Sequence, residues 1–85
     1  MRSVTVYTRA FCPYCTRAMS LLKRKGAPVT EIDATFDPCK KKEMVERSGR
    51  WTFPQIFVGE THVGGCDDLH ALEQQGGLDP LLAGV

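Results

Sequence analysis

Between Thr8 and Pro13 the hydrophobic period of the chain changes, and that change limits the fold more than any other feature. Ser3 to Tyr7 alternates polar and apolar residues, with Val4 and Val6 on one side. A period of two in a β-branched run predicts a strand. From Pro13 to Lys25 the apolar residues Cys15, Ala18, Met19 and Leu22 recur at helical spacing. They share one helix face, opposite Thr16, Arg17, Ser20, Lys23 and Arg24. The chain must therefore leave a strand and enter a helix across Thr8–Phe11, and Cys12-Pro13-Tyr14-Cys15 sits at that joint. Gly26 stops the helix, Pro28 follows, and Val29–Asp33 reads as a second strand. A strand–helix–strand opening closes as a right-handed parallel pair, so the chain is α/β.

The remaining elements follow from local signals. Asp37 is a helix N-cap with Pro38 at the first helical position. That helix runs to about Ser48, stops at Gly49, and uses Met44 and Val45 as core contacts. Pro54–Val58 is a third strand, and Gly59-Glu60 turns the chain into Thr61–Val63, an antiparallel hairpin. After Gly64-Gly65 a third helix starts near Cys66-Asp67-Asp68 and ends at Gly76-Gly77. The tail Leu78-Asp79-Pro80-Leu81-Leu82 reads as a short turn that docks apolar side chains. The order β-α-β-α-β-β-α predicts a single mixed four-stranded sheet flanked by helices, in a single domain over residues 1–85.

Composition removes several function classes. The formal net charge of +1 leaves no field to attract nucleic acid. The run Lys40-Lys41-Lys42 is followed by Glu43 and Glu46 and reads as a solvated helix face. No stretch approaches the ~18 apolar residues of a membrane span. Met1–Thr8 reads as a strand and lacks the apolar core of a secretory signal. The expected compartment is the cytoplasm, where thiols stay reduced, and four cysteines in 85 residues do not suggest a disulfide scaffold.

The chemistry lies at the strand–helix joint. A residue there meets the free N–H groups and positive end of the helix dipole, which favour thiolate over thiol. Cys12 precedes the helix and can face solvent, whereas Cys15 belongs to the apolar stripe. Cys12 is therefore expected to attack and Cys15 to resolve from beneath. A thiolate of low pKa is a weaker nucleophile but a better leaving group, so the main gain is release from the mixed disulfide. Other readings of the pair are weaker. Zinc wants four ligands, and neither Cys39 with Cys66 nor His62 with His70 supplies the spacing. A c-type haem would need His after Cys15, where Thr16 stands. A structural bridge across so short a loop adds little. Cys39 lies off the Met44 face of its helix and carries no assigned role.

The segments Tyr7-Thr8-Arg9 leading into Cys12-Pro13-Tyr14-Cys15, Thr52-Phe53-Pro54-Gln55-Ile56-Phe57, and Gly64-Gly65-Cys66-Asp67-Asp68 resemble the glutaredoxins, in particular the dithiol class of the small bacterial type. The resemblance covers nearly the whole chain. It implies a thioredoxin-like fold and a groove for glutathione, with Cys12 and Cys15 catalytic. It further implies that Arg9 holds the glycine carboxylate and that Tyr14 gives an aromatic wall. Thr52, Phe53 and a cis Pro54 would offer backbone to the ligand. Gly65, Cys66 and Asp67 would take the γ-glutamyl end. Phe53 departs from the small β-branched residue common in the family, and Trp51 beside it is unusual.

The implied activity is glutathione-dependent reduction of protein–glutathione mixed disulfides and protein disulfides. No bound cofactor or metal is expected; glutathione is the cosubstrate, the partners are glutathionylated or disulfide-containing proteins, and the chain is expected to be a monomer. Two alternatives stand beside this reading. One is a redoxin recharged by thioredoxin reductase. The other is a carrier of an iron–sulfur cluster shared through Cys12 and glutathione.

Overall fold

The computed structural model describes residues 1–84. The elements run β1 (Val4–Thr8), α1 (Pro13–Arg24), β2 (Val29–Asp33), α2 (Pro38–Ser48), β3 (Gln55–Val58), β4 (Thr61–Gly64), α3 (Cys66–Gln74) and α4 (Leu78–Ala83). The strands form one four-stranded sheet in the order β2-β1-β3-β4. β1 pairs with β2 in parallel, Val4 opposite Val29 and Thr8 opposite Asp33. It pairs with β3 antiparallel, Val4 opposite Val58 and Tyr7 opposite Gln55. The β3–β4 hairpin is antiparallel, with an irregularity between Ile56 and Phe57. β1 is thus central, and the loop that leaves its C-terminal end carries Cys12.

The strand period divides the core in two. Val4, Val6, Ile56 and Val58 face α1, α3 and α4, and pack with Ala18, Leu21, Leu22, Leu69, Leu78 and Leu82. Tyr7 and Phe57 face the other way and pack with Met44 of α2, flanked by Ile32 and Phe53. Burying each large aliphatic side chain contributes about 1.5–3 kcal/mol, so the first face dominates stability.

Three expectations need correction. Val45 is 37 % exposed, and Met44 is the buried residue of α2. In α1 the buried residues are Cys15, Ala18, Leu21 and Leu22, while Met19 is only partly buried. The helix packs against α3 as well as the sheet, which rotates its buried arc toward Leu21. The tail is a helix, α4, rather than a turn. Pro80 falls in its first turn, where a missing N–H does no harm, and Leu78 and Leu82 one turn apart carry it into the core. No helix among the described residues is long and apolar enough to cross a membrane.

Candidate active site

Cys12 is the N-cap of α1, with extended backbone at φ −114° and ψ 102°. The N–H of Cys15 points at its Sγ at 3.3 Å, and Thr16 N–H bonds its carbonyl at 3.2 Å. Pro13 occupies the first turn, and no acidic residue stands there to oppose a sulfur anion. The N-cap geometry therefore aims a main-chain donor at the Cys12 sulfur.

The expected contrast in exposure between the two cysteines is absent. Cys12 is 5 % and Cys15 4 % accessible, because the cap turns the Cys12 sulfur inward toward the Cys15 amide. The two differ in their setting instead. Burial, reinforced by the neighbouring Cys12 sulfur, pushes the Cys15 thiol up to about 12. Cys15 thus holds its proton at neutral pH.

Two depressions adjoin this segment, on opposite sides of the end of β1. The larger, about 860 Å³, is lined by Cys12, Cys15, Arg9, Phe11, Thr8 and Glu31, and continues along α1 through Met19 and Ser20 to Lys23 and Arg24. The smaller, about 210 Å³, brings together Tyr14, Thr52, Phe53, Pro54, Gly65, Cys66 and Asp67, joined by Arg50 and Asp68. Of the residues expected at a ligand site, only Arg9 lies in the other depression. Its side chain is exposed and reaches the carbonyl of Ala10 at 3.4 Å.

The smaller depression is held by long-range contacts. The Phe53–Pro54 bond is cis. Gln55 is fully buried, and its Nε2 donates to the Thr52 carbonyl at 3.0 Å and the Thr52 hydroxyl at 3.1 Å. Its Oε1 meets His62 Nε2 at 2.8 Å, which ties the Thr52 loop to β4. Phe53 is half-buried against the Tyr7–Met44–Phe57 cluster, so part of its ring serves the core. Trp51 is exposed and lies outside both linings.

At the start of α3 the Asp68 carboxylate accepts the Gly65 N–H at 2.9 Å and Arg50 Nη1 at 2.8 Å. Those two donors, the amide first, hold Asp68 below the ordinary carboxylate range. The Gly65 N–H is therefore occupied, which leaves the amides of Cys66, Asp67 and Asp68 as the open donors of the helix end. Cys66 is buried, its Sγ 3.5 Å from His70 Nδ1, and burial pushes its thiol up. Asp67 is exposed. Cys39 is exposed at the start of α2, outside both depressions. Among the described residues no group of three or more His, Cys, Asp or Glu is arranged to hold a metal. Arg50 and the clamping role of Asp68 were missed in the sequence, since their pairing spans 18 positions and no local pattern signals it.

Similarity to known proteins agrees with this geometry. A family model described as glutaredoxin matches residues 4–63. Glutaredoxin 3 of Escherichia coli strain K12 is 52 % identical over 82 residues, covering 96 % of this chain and 99 % of that protein. The solution structure of the glutaredoxin from Brucella melitensis superposes with a TM-score of 0.84 at 63 % identity, over 96 % of this chain and 89 % of that one. The crystal structure of the buckwheat glutaredoxin–glutathione complex gives 0.85 at 28 % identity, over 94 % and 76 %.

Proposed function

The chain belongs to the glutaredoxin family and is a glutathione-dependent oxidoreductase, and from that premise we propose that it reduces protein–glutathione mixed disulfides and protein disulfides through Cys12. The Cys12 thiolate attacks the glutathione sulfur of the mixed disulfide. A Cys12–glutathione bond forms and the protein thiolate departs with a proton. A second glutathione thiolate then attacks the bound glutathione sulfur, giving glutathione disulfide and freeing Cys12 as thiolate. With a protein disulfide, Cys12 bonds one protein sulfur and expels the other. Cys15 then gives up its proton, attacks the Cys12 sulfur, and releases the reduced protein. The resulting Cys12–Cys15 bond is reduced by two glutathiones.

The observation that carries this reading is the Cys15 N–H directed at Cys12 Sγ at 3.3 Å, beside a Cys15 thiol held protonated. It supports Cys12 as the attacking sulfur and Cys15 as one that reacts only when a disulfide is already in contact. Glutathione lies in the smaller depression. Tyr14, Thr52, Phe53 and Pro54 flank its backbone. The Cys66 and Asp67 amides meet its α-carboxylate, and the Asp67 carboxylate meets its ammonium group. Arg9 takes the glycine carboxylate from across Cys12. The similarity to a glutaredoxin solved with glutathione supports this placement. Glutathione is a cosubstrate here, and the enzyme works as a cytoplasmic monomer without a resident cofactor.

Turnover of a glutathionylated protein and of a protein disulfide, measured side by side, tests the reading. Cys12→Ser is expected to lose both activities. Cys15→Ser is expected to keep most of the first and lose most of the second. Equal loss of both in Cys15→Ser contradicts the division of labour.

A further inference from the structure

The larger depression is not used by the glutathione placement, apart from Arg9 at its rim. Both active-site cysteines are among its lining residues, and it runs between α1 and the edge strand β2. From Cys12 to Lys23 it follows about three turns of helix, ~16 Å. That length accommodates about five residues of extended chain. Its mouth is formed by Phe11, which is 99 % exposed and holds φ at +56°. A phenylalanine in left-handed backbone is strained, and its exposed ring recovers nothing by packing in the core.

The charge of the groove is one-sided. Arg9, Lys23 and Arg24 line it against Glu31. Glu31 is engaged by the Thr8 hydroxyl at 2.8 Å. The ion pairs among the described residues involve Lys25, Lys42 and Arg50, so the three groove cations are unpaired.

We propose that this α1–β2 groove docks the polypeptide arm of a protein disulfide substrate: an extended acidic segment whose apolar residue, next to its cysteine, meets Phe11. The proposal rests on the dithiol route described above. In that route the polypeptide is bonded directly to Cys12 while Cys15 attacks, and both residues line this groove. Glutathione occupies the other side of Cys12. The two intermediates thus have separate seats, and substrate choice in the dithiol reaction is set by residues remote from the glutathione site.

The test uses two peptides with an internal disulfide and identical length, one with Asp and Glu beside an apolar residue and the cysteine, the other with Lys at those positions. Wild type is expected to prefer the acidic peptide by about tenfold in kcat/KM, with the preference shrinking as salt is raised. Lys23→Glu with Arg24→Glu is expected to reverse the preference. Turnover of the cysteine–glutathione mixed disulfide, which does not enter the groove, should change by less than about twofold. Equal turnover of the two peptides by wild type, or an unchanged preference in the double variant, overturns the proposal. If wild type reduces neither peptide, the dithiol reading fails, and the groove is judged by a second measurement. A single-cysteine form of the acidic peptide, its thiol activated as a thionitrobenzoate mixed disulfide, is coupled to Cys12 with loss of thionitrobenzoate in a Cys15→Ser, Cys39→Ser background, and the protein's amide shifts are mapped. Shifts along Thr16–Arg24 and at Glu31 support the groove; shifts confined to Trp51–Pro54 and α3 reject it.

Discussion

Cys15 makes a measurable statement about stability. Its thiol ionises near 12 in the folded chain because burial disfavours the charged form, whereas an unfolded cysteine ionises near ~8.5. Between those values the unfolded state holds fewer protons than the native state, so stability falls as pH rises through that window. The slope from one such group cannot exceed about 1.4 kcal/mol per pH unit. Tyr7, Lys25 and Cys66 are also raised and act in the same direction. The Cys15 share therefore has to be read by difference: urea titrations from pH 8 to 11 are expected to show a shallower alkaline decline in Cys15→Ser than in wild type. Parallel declines would mean that Cys15 ionises normally. The places of Cys12 just before the helix and of Cys15 on its buried stripe were legible in the sequence. Their similar burial was not, because the sulfur of an N-cap residue turns toward an amide that only the folded turn presents. Leu21 escaped for a related reason: a single-helix pattern does not reveal a second packing partner.

At the scale of elements, the start of α3 is held by one carboxylate doing two tasks. Asp68 caps the Gly65 amide and pairs with Arg50. Asp68→Ala is expected to cost about 1 kcal/mol at neutral pH, in the range of a lost helix cap. Because the folded carboxyl is held low, that contribution is present above the unfolded value near ~3.9 and disappears as pH falls through the lower folded value. Wild type and variant should therefore converge in stability as the carboxyl is protonated at the acid end, which acid-limb denaturation curves can check. Gly64 makes the clamp possible. It sits at φ +119°, and a Cβ there would lie 2.3 Å from Asp68 Oδ2. Gly65 has ordinary φ, and a Cβ there would meet nothing nearer than the Pro54 carbonyl at 3.5 Å. Gly64→Ala is expected to lose more than about 2 kcal/mol and to raise KM for glutathione substrates. Gly65→Ala should lose less than half as much; a reversed ranking in thermal melts would sink the explanation. The antiparallel β1–β3 pair joins distant strands and has no local signal. Element order, the parallel β1–β2 pair and the β3–β4 hairpin were readable from turn residues and periodicity, down to Asp37 as a cap and Gly59-Glu60 as a hairpin turn. The helical state of Leu78–Ala83 was not, since so short a segment is stable only once Leu78 and Leu82 are buried by distant strands.

For the molecule as a whole, the sheet separates a large core from a small one. α2 rests on the small side through Met44, with Tyr7 and Phe57 beneath it. Met44→Ala is expected to cost about 2–5 kcal/mol, whereas Val45→Ala, on the exposed side, should cost less than about 0.5 kcal/mol. The same asymmetry predicts that α2 amides exchange with solvent through openings smaller than global unfolding, while β1 and α1 amides open only globally. Uniform protection across α1 and α2 would show that the small core is as cooperative as the large one. The chief support of the Cys12 sulfur belongs to neither core; it is the peptide N–H of Cys15. A peptide group is the same whatever codon stands at its position, so drift at position 15 can remove the second thiol without removing that support. Only a change to proline deletes the N–H itself. In the proposed mechanism the nucleophile is thus buffered against the accidents of inheritance, and the resolving step is the part of the chemistry a lineage can discard or regain by a single nucleotide change.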